Sequence, residues 1–534
     1  MRLHRNALVS AVVLTVLAAS ALSASADERY IIGSKRGTAH AREVVMARGK
    51  SIALELSRHS AVVANLSDAA VAELRKDANL TIEVDARRYM FAGAAEVVPF
   101  GISMVQADQL SDAAAAGIKV CIIDSGYNYG HEDLSTASNV TGTNDSGSGP
   151  WNQDGSGHGT HVAGTISALA NGTGVVGVLP NGTVKLHIVR VFGDDGTWAY
   201  SSSLITAVET CRNNGADVIS MSLGGSTKSR FEENAFKSAY AAGVLSIAAA
   251  GNDGNTRMSY PASYASVVSV AAIDANKAVA DFSQKNSQVE VAAPGVAIKS
   301  TVPMGTGSLT TLTVGAGSFE SSAMDGSPLG TATGPLVDCG IGDSACPGGG
   351  GQVCLIQRGT ISFADKVLNC QAGGGAAAVV YNNEAGMLYG TLGETATTIP
   401  SAGVSDVDGA ELLTLAGASA TLAVAADNYA SWDGTSMATP HVSGVAALVW
   451  SHFPSCTNAD IRTALGASAQ DLGAAGRDTS YGYGLIQAKA AYDYLTANPC
   501  GGGGSCSAAG ESCSSDSDCC SGSCRVRRGV GTCQ

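Results

Sequence analysis

Three short, almost uninterrupted apolar runs constrain this chain more than anything else in it: Lys119–Asp124, Asp217–Ser222 and Val244–Ala250. A strand with one wet face alternates polar and apolar residues. A run that stays apolar throughout is covered on both faces, as parallel strands are. Between two of these runs, Leu204 to Asn213 reads as a helix. Strand, helix, parallel strand predicts an α/β fold with a doubly wound, mostly parallel sheet over residues 95–303. The same character resumes over residues 429–498. Residues 304–428 are instead rich in Gly, Thr, Ala and Val, with β-type runs at Val353–Gln357 and Ala376–Tyr381, and read as an inserted β-rich domain. Ahead of the sheet, residues 27–94 carry strand-like runs at Arg29–Gly33, Ala61–Leu66 and Leu80–Asp85 with helical stretches between, a small α+β unit. A length of 534 residues fits two to four such domains.

The two ends are compositionally distinct. Arg2, His4 and Arg5 precede an apolar run from Ala7 to Leu22, and Ala24-Ser25-Ala26 is a small-residue cleavage site. Together they predict a secretory signal peptide over residues 1–26. The run is short for a membrane anchor, and nothing later is long and apolar enough to span a bilayer. An exported chain reads its 14 cysteines as disulfides rather than metal ligands. They group locally: Cys339 with Cys346, Cys354 with Cys370, Cys456 with Cys500, and six from Cys506 to Cys533. Cys121 and Cys211 are left over, to pair or to remain buried thiols. Residues 499–505 form a Gly-rich linker, and 506–534 a disulfide-rich module. The formal net charge of -14 argues against a nucleic-acid partner, which needs a basic surface.

Three segments carry chemistry. Ile122-Ile-Asp124-Ser-Gly126 delivers a carboxylate at the end of a buried strand, where ligands gather in open α/β sheets. Asp154-Gly-Ser-Gly-His158-Gly-Thr-His161-Val-Ala-Gly164 brings glycine-rich backbone close to His158 as a helix begins. His158 and His161 could also be metal ligands, but no third ligand follows at a zinc-like spacing, which favours a packed role for His161. Gly434-Thr-Ser436-Met-Ala-Thr-Pro440-His-Val-Ser-Gly444 places a serine between a glycine turn and a helix of small residues. The N–H groups and positive dipole of that helix start suit a nucleophile whose reaction develops a negative oxygen.

Taken together, in the order Asp, His, Ser, these segments resemble the subtilisin-like serine proteases. The resemblance implies a secreted serine endopeptidase with Asp124, His158 and Ser436 as its triad and Asn252, in Ala249-Ala-Gly251-Asn252, as an oxyanion donor. It implies that Ser222, Leu223, Gly224 and Gly225 pair with an extended protein or peptide substrate. With Ala249 and Gly251 they would line the primary specificity pocket, with Ser259 at its floor. The absence of an obvious acid there predicts apolar residues before the cut. It further implies a structural Ca²⁺ held by Glu96, Asp133 and Asn171. Residues 27–94 resemble the inhibitory propeptide of such a zymogen, cut between Phe91 and Glu96. Cys354-Leu-Ile-Gln-Arg-Gly359 and Lys366-Val-Leu-Asn-Cys370 make the insertion resemble a protease-associated domain. The C-terminal module resembles a cystine knot, for which pairing of first with fourth, second with fifth and third with sixth cysteine is expected. The alternative function is a catalytically inactive relative acting as a binding protein.

Overall fold

The computed structural model describes residues 28–84, 96–194, 199–393 and 395–500, together with 512–513, 524–527 and 530–533. The expected signal peptide and the proposed cleavage segment fall outside these residues. The chain divides into two units, Met1–Ala92 and Gly93–Gln534. The first holds β1 (Glu28–Ser34), β2 (Leu54–Leu56), β3 (Ala61–Leu66) and β4 (Leu80–Val84), with helices Thr38–Met46 and Asp68–Leu74. Its strands form an antiparallel sheet in the order β2-β3-β1-β4. Tyr30, Ile32, Val45, Val62, Leu66 and Leu74 form its core. The short β2 was not legible from sequence, because only its two leucines mark it.

The second unit is built on a seven-stranded sheet: β5 (Lys119–Asp124), β6 (Val140–Asn144), β7 (Lys185–Arg190), β8 (Val218–Met221), β9 (Leu245–Ala249), β10 (Val267–Ile273) and β11 (Val289–Pro294). The order is β11-β10-β9-β8-β5-β7-β6 and every pairing is parallel. Val120 and Ile122 of β5 pack into the core under helices His158–Ser167 and Thr435–His452, while Cys121 and Ile123 face the core under helices Ser201–Asn213 and Arg230–Ala241. Burial on both faces is what the unbroken apolar runs predicted. Strand β5 lies at the switch point of the sheet, with β8 on one side and β7 on the other, so its carboxyl end opens onto a crevice.

Beyond the sheet, β12 (Ile298–Thr301) pairs antiparallel with a strand more than a hundred residues later, Tyr429–Trp432. Between them the chain builds a mixed eight-stranded sheet, from β13 (Gly307–Val314) through β14 (Gly317–Phe319), β15 (Ser322–Ala323), β16 (Gly330–Asp338), β17 (Val353–Gln357), β18 (Ala377–Tyr381) and β19 (Ser401–Val404) to β20 (Ser419–Asp427). Tyr429–Trp432 is then β21. Because β13 and β20 pair from Gly307 with Asp427, the insertion grows directly out of the β12/β21 stem. It also carries helices Phe363–Ala372 and Asp406–Thr414, which its Gly- and Thr-rich composition did not announce.

Disulfides join Cys339 to Cys346, Cys354 to Cys370 and Cys456 to Cys500, the expected local pairs, and Cys121 to Cys211. The last ties β5 to the helix packed over it. Cys513 bonds to Cys524, the second and fifth of the final six.

Candidate active site

Asp124, the last residue of β5, is fully buried. Its Oδ1 accepts hydrogen bonds from the Ser125 amide at 2.7 Å and from His158 Nδ1–H at 2.8 Å. His158 opens its helix because the preceding backbone is held ready for it. Gly157 adopts φ 84°, a left-handed conformation. The buried Asp154 carboxylate accepts from Gly157 N at 2.9 Å, Thr160 N at 2.8 Å and the Thr160 hydroxyl at 2.6 Å. A carboxylate there satisfies donors that the first helical turn leaves open and matches the positive end of the dipole. Ser125 completes the joint, donating to Asp154 and accepting from Gly159 N, each at 2.9 Å. At Gly159 the helix rides directly on the turn leaving β5, since a Cβ there would stand 2.3 Å from the Gly126 carbonyl and 3.2 Å from Asp124 Cβ.

Burial alone would lower the pKa of the His158 imidazole. The charge and hydrogen bond of Asp124, with a smaller contribution from Asp154, outweigh it and hold the pKa above its ordinary value. His161 is the opposite case. It is fully buried, its Nε2–H donates to the Ile298 carbonyl at 2.9 Å, and its ring stacks on Trp432 at 4.6 Å. Burial, then repulsion from His158, pushes its pKa down to about 3, so it is a neutral packing residue.

Ser436 sits in the first turn of helix Thr435–His452. Its hydroxyl donates to the Ser222 carbonyl at 3.2 Å, and the Ser222 hydroxyl donates back to the Ser436 carbonyl at 2.6 Å. In this resting arrangement the Ser436 hydroxyl is thus turned to Ser222 rather than to His158, which is common where a site tightens only on substrate. The side-chain oxygen of Asn252 accepts from both the amide of Thr435, at 2.9 Å, and its hydroxyl, at 2.7 Å. That fixes which end of the amide is free. A Cβ on Gly434 would lie 3.5 Å from Asn252 Nδ2 and 3.5 Å from Ser436 N, so these two donors border one small space.

The proposed binding residues gather beside this point. Ser222 to Gly225 continue from the end of β8, and Ala249 to Gly251 from the end of β9. Ser259 lies between them: a Cβ on Gly224 would be 2.6 Å from its Oγ, and one on Gly251 would be 3.3 Å from its Cβ. Asp133, Asn171 and Glu96 also converge, at a separate loop. Asn171 Nδ2 donates to Asp133 Oδ1 at 3.1 Å, and Gly172 N donates to Glu96 Oε1 at 2.7 Å. Burial, with the charges of Glu96 and Glu132, pushes the Asp133 carboxyl up to about 7.

Sequence reasoning missed the supports. Asp154 carries no readable role in its motif, because it lies three residues ahead of the helix N-cap Gly157 and meets the first turn only through the folded loop. Thr435 was legible only as the residue before the serine. Arg190, 1% exposed, holds the loop carrying Asp154 by donating to the Pro150 and Gln153 carbonyls at 3.1 and 2.7 Å. Nothing local in the sequence marks that job.

A buried carboxylate–imidazole pair at the carboxyl edge of a parallel sheet, with a serine at a nearby helix N-terminus, is the layout of a serine hydrolase. The chain matches the subtilase family over residues 115–326 and 401–484, and the PA domain over residues 332–412. It is 37% identical to subtilisin E of Bacillus subtilis (strain 168) over 301 residues, covering 54% of this chain and 77% of that protein. It is 44% identical to subtilisin DY of Bacillus licheniformis over 221 residues, 40% of this chain and 77% of the relative. The crystal structure of the psychrophilic subtilisin-like protease Apa1 from Pseudoalteromonas sp. AS-11 is 45% identical and superposes with a TM-score of 0.65 over 76% of this chain and 99% of that one. This chain belongs to the subtilase family, and is a subtilisin-like serine endopeptidase acting on protein substrates.

Proposed function

We propose that Ser436 is the nucleophile, His158 its general base and acid, and Asp124 the group that orients the imidazole. The hydrogen bond of 2.8 Å between Asp124 and His158 Nδ1 carries this reading, because it leaves Nε2 as the nitrogen that faces substrate. Ser436 Oγ turns from the Ser222 carbonyl to His158, gives up its proton and attacks the scissile carbonyl. Ser436 N and Asn252 Nδ2 receive the oxyanion. The protonated imidazole, stabilised by Asp124, then protonates the leaving amine, and water repeats the sequence on the acyl-enzyme. The extended substrate pairs with Ser222–Gly225. The pocket closed by Gly224, Gly251 and Ser259 offers no carboxylate among these residues, which favours apolar residues before the cut.

The chain is further read as a secreted zymogen. A signal peptide directs export, the disulfides suit an oxidising compartment, and residues 27–94 inhibit until cleavage between Phe91 and Glu96. Asp133, Glu96 and Asn171 fit a Ca²⁺ ion by donor chemistry, since the carboxyls of Asp133, Glu96 and Glu132 crowd one loop at a cost in charge. The Asn171 amide presents its NH2 end to Asp133, so ligation needs its oxygen turned inward. The ion would stiffen this loop and takes no part in the chemistry.

The test compares wild type with Ser436→Ala for release of the N-terminal unit and labelling by a fluorophosphonate probe. Maturation and labelling by the wild type alone support the triad. Equal behaviour of the two overturns it in favour of an inactive binding protein.

A further inference from the structure

The insertion does more than decorate the β12/β21 stem: it adds a wall to a groove that starts at the proposed active site. The groove encloses about 320 Å³. One side is stem, including Trp432 and Lys299. The other is insertion, including Glu320, Asp325 and Tyr389. Trp432 joins the two regions, because its ring lies 6.5 Å from the imidazole of His158, near-parallel at 21°.

Direction follows from the chemistry. His158 protonates the leaving amine, so the peptide beyond the scissile bond departs past the imidazole. The acyl half is held on the opposite side, where Ser436 touches Ser222. A chain passing His158 meets Trp432 next, and then the groove. The groove's charge says what it takes there. Among the described residues that line it, Lys299 is the single cation against two carboxylates, Glu320 and Asp325, and Asp433 follows Trp432 in the chain. Asp325 is fixed in place by the Thr391 hydroxyl at 3.1 Å and by its own amide on the Gly390 carbonyl at 2.8 Å. Glu320 is exposed. Burial, and then the charges of Glu320 and Asp433, push the Tyr389 hydroxyl up to about 12.

We propose that this groove is a specificity site for the leaving-group side of the substrate, in which Glu320 and Asp325 select a Lys or Arg among the second to fourth residues after the scissile bond. The inference rests on the triad reading above, which sets the direction of travel.

The experiment uses fluorogenic peptides that share one acyl half and carry Ala, Lys or Glu at each of those positions. The mature enzyme is compared with Glu320→Gln/Asp325→Asn. Each screened pair contributes modestly, so we expect kcat/KM for Lys about 3- to 10-fold above Glu at one position, shrinking as salt is raised. The double variant should lose that preference while keeping its rate on the all-Ala peptide, which also shows that it is folded. A flat profile in the wild type, a preference for Glu directed by Lys299, or a Lys preference that survives the double variant would each overturn the proposal. If instead the wild type cleaves no peptide and takes no probe, it is the triad reading that has failed.

Discussion

Pro440 poses a problem for the helix that carries Ser436, and the structure contains a specific answer. In an α-helix the carbonyl of residue 436 would accept from the amide of residue 440. Proline has no such hydrogen. The Ser222 hydroxyl takes its place, 2.6 Å from the Ser436 carbonyl, on a residue only 5% exposed. Ser222→Ala should therefore leave a carbonyl with neither its helical nor its side-chain donor. Ser436 is half-buried, so the low end of the penalty for an unsatisfied acceptor applies, about 1 kcal/mol or roughly 5-fold in an equilibrium. Pro440→Ala restores the backbone donor, so the same Ser222→Ala change should then cost under about 0.5 kcal/mol. The four proteins of this cycle can be compared by urea unfolding in a Ser436→Ala background, which prevents self-digestion and leaves the carbonyl intact. In active enzyme, kcat on a small ester should follow, falling about 10-fold for Ser222→Ala and recovering in the double variant, because the freed carbonyl lets the nucleophile's turn drift. If Ser222→Ala costs as much in the Pro440→Ala background as it does when the proline is retained, the reasoning is refuted.

The other predictions use the same contacts. With its pKa raised, His158 should give activity that climbs with pH through a limb above about 6.5. Its contribution to stability has the opposite sign, full below that ordinary value and lost as pH rises through the raised one. Asp124→Asn removes the charge that opposes burial, so the residual activity should show its acid limb at lower pH; an unmoved limb would mean that another group sets it. Thr435→Val keeps the amide bond to Asn252 but removes both bonds of the hydroxyl, the one it donates to Asn252 at 2.7 Å and the one it accepts from the Gly251 amide at 3.2 Å. Each neutral hydrogen bond is about 1 kcal/mol, so loosening Asn252 should drop kcat about 5-fold, while the freed Gly251 amide acts on KM; a change confined to KM would speak against the oxyanion role of Asn252. Chelation should shorten the half-life of the enzyme at elevated temperature, with added Ca²⁺ reversing it in wild type but not in Asp133→Asn; equal sensitivity in both proteins would place the ion elsewhere.

The candidate site residues left clearer marks in this sequence than the scaffolding around them, and the reason is locality. Asp124, His158 and Ser436 each sit where a strand or helix begins or ends, and such transitions leave marks within a few residues: an apolar run that stops, a glycine cluster, a proline soon after a helix start. The parallel sheet was legible for the same reason, since burial on both faces is written along each strand. Edge strand β6 was not, because Val140–Asn144 is buried only at Val140 and half-buried at Gly142. Its partner β7 supplies the order that its own residues do not.

The supports escaped because their partners are distant in sequence. Arg190 looks like a surface charge, and only the fold wraps residues 150–153 around it. Ser222 looks like the end of a strand, yet its hydroxyl answers a defect created by a proline more than two hundred residues later. Such pairings also explain how the chain tolerates an insertion of this size beside its active site. The stem that bears it is held from below: His161 donates to the Ile298 carbonyl, the Ser300 hydroxyl to the His161 carbonyl at 2.7 Å, and the Thr301 hydroxyl to the Thr160 carbonyl at 2.9 Å. Each of these contacts runs to the helix that begins at His158. The element that positions His158 is thus the one that anchors the insertion, and strain from the added domain would reach the imidazole unless this joint were rigid. Removing it with Ser300→Ala/Thr301→Val should therefore lower kcat more than it lowers stability, and an effect on stability alone would show that the insertion is mechanically separate from the site.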